Sequence, residues 1–330
     1  MDSIDRRLLD HIQRSFPIES KPYAVLGERL GLEEQEVLSR IQNLKAGRLV
    51  RQISAIFNTG ALGYQSSLVA MAVPEAYTEQ AARVVNAYPG VSHNYLRPAS
   101  FNLWFTIAVP PGRSLDDVVT RLSREAGGWP TLILPALKKY KLAVVLDVLE
   151  DSEADTSAGG LPEASLESLE RFHASEHNVK LVRCLQEDLP LVPRPFAAWG
   201  RSLGMNDEDL MGVIRQWLAW SWIRRFAAVL NHRQAGFGAN GMVVWQCDPS
   251  RIDASGMALA AFPEVSHCYQ RPLHAQWPYN LYAMIHAKTE NECRKIAKRL
   301  SEAVGLDEYR ILFSTREFKK IRLKLFWNEP

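Results

Sequence analysis

One segment constrains this chain more than any other: Val91-Ser92-His93-Asn94-Tyr95-Leu96-Arg97-Pro98. It returns about 174 residues later as Val265-Ser266-His267-Cys268-Tyr269-Gln270-Arg271-Pro272, with six of the eight positions identical. β-branched and aromatic residues bounded by a turn and a proline predict a strand. Strand side chains alternate between faces, so Val, His, Tyr and Arg are expected to share one face in each copy. The other face changes, Asn94 to Cys268 and Leu96 to Gln270. A strand kept for packing would keep its apolar residues. One that keeps a His-Tyr-Arg row points to a site.

The repeat extends through most of the chain. Phe16-Pro17 to Gly27 and Leu30-Gly31-Leu32 answer to Leu189-Pro190 to Gly200 and Leu203-Gly204-Met205. Arg51, Asn58 and Gly63 answer to Arg224, Asn231 and Gly236. The second copy carries four extra residues within Pro272–Tyr279 before Asn280-Leu281-Tyr282 matches Asn102-Leu103-Trp104. Glu150–Pro162 is acidic and rich in small residues, and reads as a linker. The expected domains are therefore 1–60 and 164–235 (helix-turn-helix), 61–149 and 236–330 (ferredoxin-like), with 150–163 between the halves.

Each half predicts the same α+β plan. In the first, helices are expected over Ile4–Ser15, Tyr23–Leu30 and Glu33–Lys45, the last two split by Gly31. A strand wing over Leu49–Phe57 follows. Strands at Gln65–Val73, Val91–Arg97, Leu103–Val109 and Leu142–Leu146, with helices at Thr78–Ala87 and Leu115–Arg124, give the order βαββαβ. In the second half the helices are Leu181–Glu187, Phe196–Leu203 and Asp207–Trp220. Its sheet module takes Gly241–Cys247, Ile252–Ala261, Val265–Arg271, Asn280–Ala287, Glu290–Ala303 and Ile321–Phe326. An open sheet with helices on one face needs a cover for the other. Two copies in one chain can cover each other, as a pseudo-dimer that leaves a further homodimer open.

A tandem winged helix-turn-helix and ferredoxin-like module resembles the Lrp/AsnC transcription regulators, which raises DNA binding. The candidate recognition helices begin Glu33-Glu34-Gln35-Glu36 and Asn206-Asp207-Glu208-Asp209. Carboxylates there suit the helix dipole but repel phosphates, and Trp217, Trp220 and Trp222 suit a packed surface. Net charge is only +2, so no general attraction to nucleic acid or an anionic membrane is expected. The four cysteines form no C-x-x-C pair, which argues against a disulfide framework or zinc site. Neither a signal-peptide core nor a membrane-length apolar run is present, so a cytoplasmic protein is expected, with no DNA or membrane partner.

The histidines His93 and His267, with Tyr95 and Tyr269, are the candidates for proton chemistry. Arg97, Arg271, Arg51, Arg224, Arg48 and Arg225 are candidates for carboxylate capture, with Asn94 and Trp104 as further substrate contacts. Tyr64, Phe101, Trp277, Tyr279 and Tyr282 would add apolar surface. Lys138, Lys139, Lys141, Lys319, Lys320 and Arg322 read equally well as guards of an edge strand. The implied ligand is a large, flat polycarboxylate.

With V-S-H-x-Y-x-R-P in each half, the duplicated module is similar to the siroheme decarboxylases, most closely the fused NirD–NirL form of haem d1 biosynthesis. The resemblance covers nearly the whole chain outside the linker. It implies a carboxy-lyase that removes CO2 from the C12 and C18 acetates of siroheme, giving 12,18-didecarboxysiroheme. It implies no separate cofactor or protein-held metal, because the substrate brings its iron, for which His93 or His267 is a candidate ligand. Other enzymes of haem d1 biosynthesis are candidate partners. A tetrapyrrole sensor or an Lrp/AsnC-type regulator is the alternative. The extra residues of Pro272–Tyr279 are expected to reshape or close one of two mouths, making the halves unequal.

Overall fold

The structure is a computed structural model that describes residues 1–142, 170–230 and 239–327. The expected linker at 150–163, and Asn231, His232 and Gly236, lie outside the described residues. The first half runs α1 (Ser3–Arg14), α2 (Pro22–Leu30), α3 (Glu34–Ala46), β1 (Val50–Phe57), β2 (Gln65–Met71), α4 (Thr78–Ala87), β3 (Val91–Leu96), β4 (Leu103–Val109), α5 (Leu115–Glu125), β5 (Thr131–Leu134) and β6 (Lys138–Leu142). The second runs α6 (Glu176–Leu185), α7 (Pro195–Leu203), α8 (Asp207–Ala219), β7 (Ile223–Leu230), β8 (Ala239–Trp245), α9 (Ile252–Ala260), β9 (Val265–Gln270), β10 (Leu281–Ala287), α10 (Glu290–Val304), β11 (Tyr309–Phe313) and β12 (Arg316–Lys320). No helix among the described residues is long and apolar enough to cross a membrane.

The described residues form two compact units. Residues 1–63, 170–230 and 324–327 make one, and residues 64–142 and 239–323 the other. Like modules thus group together, helix-turn-helix with helix-turn-helix and sheet with sheet. The division also corrects the expected 236–330 domain. Residues 324–327 return to the helical unit, where Leu325 exchanges hydrogen bonds with the side chain of Gln186 and Phe326 stacks on Phe172.

Within the helical unit, α2 and α7 are built alike. Each starts on a proline and ends on a glycine with φ of 70°, Gly31 and Gly204. A left-handed residue at that place lets the chain turn sharply into the next helix. The second contact of the turn also needs glycine: a Cβ on Gly27 would meet the Leu32 carbonyl oxygen at 2.5 Å, and one on Gly200 the Met205 oxygen at 2.7 Å. The wing strand expected over Leu49–Phe57 forms as β1. β1 pairs antiparallel with β7, so the two halves share one two-stranded sheet. Glu34 and Glu36 stand in the first turn of α3, and Asp207, Glu208 and Asp209 in that of α8. Arg40 of α3 is held by Asp2, Asp5 and Glu36.

The other unit holds two five-stranded sheets, ordered β12-β3-β4-β2-β5 and β11-β8-β10-β9-β6. Of the strand expected at Leu142–Leu146, residues 143–146 lie outside the described residues; Leu142 is in β6, which begins at Lys138 and joins the second half's sheet beside β9. The stretch Ile321–Phe326 is not a strand; β12 lies before it and joins the first half's sheet beside β3. The true fourth strands are β5 and β11, short segments that the helical and alternating patterns did not mark. Each half therefore lends its last strand to the other. Tyr140 of β6 fixes this exchange by lying over α9, where a Cβ on Gly256 would come within 2.3 Å of its ring, and by donating to Asp253. Lys319 of β12 matches it by donating to the carbonyls of Asn86 and Tyr88.

Helices cover one face of each sheet, and the other faces pack on each other. Ala70, Trp104, Leu132 and Leu134 of the first half share a buried cluster with Val244, Trp277, Tyr282 and Leu312 of the second. At about 25 cal/mol per Å² of apolar surface removed from water, such aromatic burial is a main source of cohesion between the halves.

Candidate active site

Strands β3 and β9 place the repeated segment next to this inter-sheet core. In β3 the register steps from Val91↔Ile107 to His93↔Thr106, a bulge. Ile107 and Thr106 are adjacent on β4 and point to opposite faces, so the bulge puts Val91 and His93 on opposite faces too. β9 does the same between His267↔Met284 and Val265↔Ile285. This corrects the simple alternation: the valine does not belong to the His-Tyr-Arg row. Val265 and Cys268 lie in the helix-covered core, and burial lifts the Cys268 thiol to about 12.

Asn94 follows Cys268 to that side. It is 0% exposed, and its amide donates to Asn86 Oδ1 at 3.0 Å on α4. It therefore packs under the sheet and is not a substrate contact. Trp104 is likewise 1% exposed, with Nε1 donating to the Phe101 carbonyl at 2.7 Å. Phe101, Trp277 and Tyr282 pack with it, so these aromatics form a core where pocket lining was expected. Of the extra residues in Pro272–Tyr279, Trp277 turns inward, joins the inter-sheet core and donates to Tyr282 Oη at 2.9 Å.

What remains half-buried on the sheet faces is His93 with Tyr95 and His267 with Tyr269. The ring centroids are 6.2 Å apart in the first pair and 6.1 Å in the second. The preceding serine holds each imidazole: Ser92 Oγ is 2.9 Å from His93 Nδ1, and Ser266 Oγ is 2.8 Å from His267 Nδ1. A serine at Nδ1 fixes the plane of each ring and so the direction in which Nε2 points. Sequence reasoning passed over the serines, although their identity in both copies was visible.

The arginines are more committed than a free carboxylate fork. Arg97, 5% exposed, donates through Nη1 to the Leu312 carbonyl, and Arg271 donates to the Leu134 carbonyl. Each contact reaches the other half. Each guanidinium also lies over its tyrosine, 5.4 Å from the Tyr95 centroid and 5.0 Å from that of Tyr269. Burial pulls Arg97 down to about 10 and lowers Arg271 as well. Neither Nε finds an acceptor. A buried cation beside a tyrosine favours an anionic neighbour.

The four remaining arginines belong to the helical unit. Arg51 is exposed on β1, while Arg224 on β7 donates to Asn58 Oδ1 at 3.3 Å. Arg225 is half-buried, its basicity lowered by desolvation. Arg48 has φ of 58°, and Ser221 repeats that turn with the same φ, so the position is first a backbone turn. Of the lysines, Lys138 pairs with Asp253 and Lys141 donates to the Phe262 carbonyl. Lys139 stands opposite Tyr269, and Lys320 opposite His93.

Tandem helix-turn-helix modules, each followed by a paired α+β sheet carrying a polar row, define the class by fold and site together. Family models divide the chain in the same way. An AsnC-like ligand binding domain matches residues 61–141 and 234–319, and the siroheme decarboxylase NirDL-like HTH domain matches 5–51 and 178–224. The chain is 38% identical over 324 residues to the siroheme decarboxylase of Hydrogenobacter thermophilus, covering 98% of this chain and 95% of that one. Among solved structures it is similar to the siroheme decarboxylase NirDL, with a TM-score of 0.80 and 34% identity over 99% of this chain and 95% of the other. A co-complex of NirDL with an iron-uroporphyrin III analogue matches with a TM-score of 0.79 and 34% identity, over 98% and 94%. This chain belongs to the siroheme decarboxylase family, and it is an enzyme of the decarboxylase class.

Proposed function

We propose that this chain decarboxylates siroheme at the C12 and C18 acetates, giving 12,18-didecarboxysiroheme, with the chemistry at the His-Tyr rows of β3 and β9. The observation that carries the proposal is the pair of serine-held imidazoles, each beside a tyrosine that lies under an arginine bonded to the opposite half. Each step replaces a carboxylate by hydrogen: CO2 leaves, its bonding electrons pass into the macrocycle, and one proton ends on the new methyl. Protonating the ring first makes it the electron sink. A neutral-pH acid must therefore face the substrate, and histidine meets that need.

In this reading His93 and His267 present Nε2 to the tetrapyrrole, as proton donor or as a ligand to its iron. Tyr95 and Tyr269 orient the acetates. Arg97 and Arg271 hold the tyrosines and supply a positive field that attracts a polycarboxylate. Arg51, Arg224, Arg48 and Arg225 belong to the helical unit and take no part in this reading of the sheet site, and the buried Asn94 and Trp104 are left out of it. The iron is part of the substrate, so no further cofactor enters this account.

Anaerobic siroheme incubated with the purified protein and followed by mass spectrometry tests the function. Two successive losses of CO2 are expected. Siroheme bound but recovered intact would leave a binding protein and overturn the proposal.

A further inference from the structure

The two rows look alike until the strand behind each is compared. His267 pairs with Met284, as His93 pairs with Thr106, so His286 on β10 occupies the place of Ala108 on β4. The backbone agrees: Ala108 N–H donates to the Gly90 carbonyl, and His286 N–H to the corresponding Glu264 carbonyl. In the second half Ser266 Oγ lies 2.8 Å from His267 Nδ1 and 2.7 Å from His286 Nε2, with the Met284 carbonyl farther off at 3.3 Å. In the first half the same place is a methyl group, which can neither donate nor accept.

We infer that His286 is a positioning residue for this reaction: acting through Ser266, it orients His267 and makes the second half's imidazole the proton donor. The inference rests on the proposed decarboxylase reading. A serine hydroxyl has one proton and two lone pairs. When His267 is charged, its Nδ1–H donates to Ser266 Oγ, and the serine proton passes its hydrogen bond on to His286 Nε2. Chains of this kind strengthen one another and favour the charged end. The proton that leaves goes from His267 Nε2 to the carbon that loses CO2, and His267 is left neutral with hydrogen on Nδ1, still held by Ser266. Solvent then restores the Nε2 proton. No ring rotation or tautomer exchange is needed between turnovers. Behind Ser92 and His93 the corresponding residue is Ala108, so Ser92 has no imidazole in the place that His286 takes behind Ser266.

Charge beside the rows differs too. Lys139 and Leu142 stand across from Tyr269 and His267, whereas Glu317 and Lys320 stand across from Tyr95 and His93. The second row thus faces a lysine with no carboxylate opposite it, while in the first Glu317 offsets Lys320.

Nitrogen-15 NMR of histidine-labelled protein, compared between the unaltered chain and His286→Ala, tests this without depending on siroheme turnover. The tautomer and charge signature of His267 should change while that of His93 holds. In single turnover with siroheme the rate should fall about 10–100-fold, the usual loss when an orienting partner is removed, with affinity little altered. His286→Gln, which keeps a hydrogen-bonding group, should restore much of it. His286→Phe keeps the ring volume and serves where alanine does not fold. An unchanged His267 signature, or equal changes at both histidines, would overturn the inference. A changed signature in a protein that never releases CO2 would instead sink the decarboxylase reading and spare the positioning role.

Discussion

The two sheets carry the same His-Tyr-Arg row but differ in what stands behind and beside it. Behind His267 are Ser266 and His286; behind His93 are Ser92 and Ala108. The second half also inserts Trp277 into the core that joins the sheets, where the first has no counterpart. The exchanged strands, the arginine contacts and the serine-held His-Tyr rows recur in both copies. Trp277 in the core and His286 behind the second row do not. Duplication kept the rows and let their surroundings diverge.

The largest effect should come from the asymmetric core residue. Trp277→Ala removes a side chain that is 1% exposed and packed on Trp104 and Phe101. A loss of about 3–5 kcal/mol is expected in denaturant unfolding. A loss below about 1 kcal/mol would mean that the insertion is ornamental and that the halves are structurally equivalent after all.

Next come the symmetric arginines. Arg97→Lys and Arg271→Lys keep the charge but lose the planar reach to Leu312 and Leu134 of the opposite half. Each should lose about 1–3 kcal/mol of stability, the cost of stranding a buried hydrogen-bonding group, and the two should be nearly equal. A large loss in one alone would place the asymmetry in the frame, against the account given above.

The smallest effect concerns the charges beside the rows. Lys139 and Glu317 are both exposed, so each is worth only about 0.2–1 kcal/mol. Lys139→Glu should raise the KM for siroheme by up to about fivefold, and Glu317→Lys should lower it or leave it unchanged. These shifts should shrink as salt is added. The opposite order would assign the productive face to the first half.

Much of the fold was legible because the helices and long strands declare themselves by period, and because the turn glycines Gly31 and Gly204 recur at matching places. The strand exchange was not. β5 and β11 are four and five residues long, too short for a periodic signal, and local sequence says nothing of which sheet an edge strand will join. The site was half legible. His93, Tyr95, His267 and Tyr269 follow from the repeat, but one-residue bulges took Val91 and Val265 off that row, and Asn94 on the opposite face proved buried. Aromatic residues were read as pocket lining where burial made them core. His286 could have been found by comparing the halves at the position of Ala108, a difference that a search for identity overlooks.

The central claim is that the halves divide the work, with His267 donating the proton and His93 serving the bound tetrapyrrole. Single-turnover decarboxylation of saturating siroheme by His93→Ala and His267→Ala, with affinity measured separately by absorbance titration, tests it most directly. The account predicts a loss of about 10²–10⁴ in rate with affinity kept for His267→Ala. For His93→Ala it predicts weakened binding and a far smaller loss of rate at saturation. Equal losses of rate at saturation in both variants would contradict it.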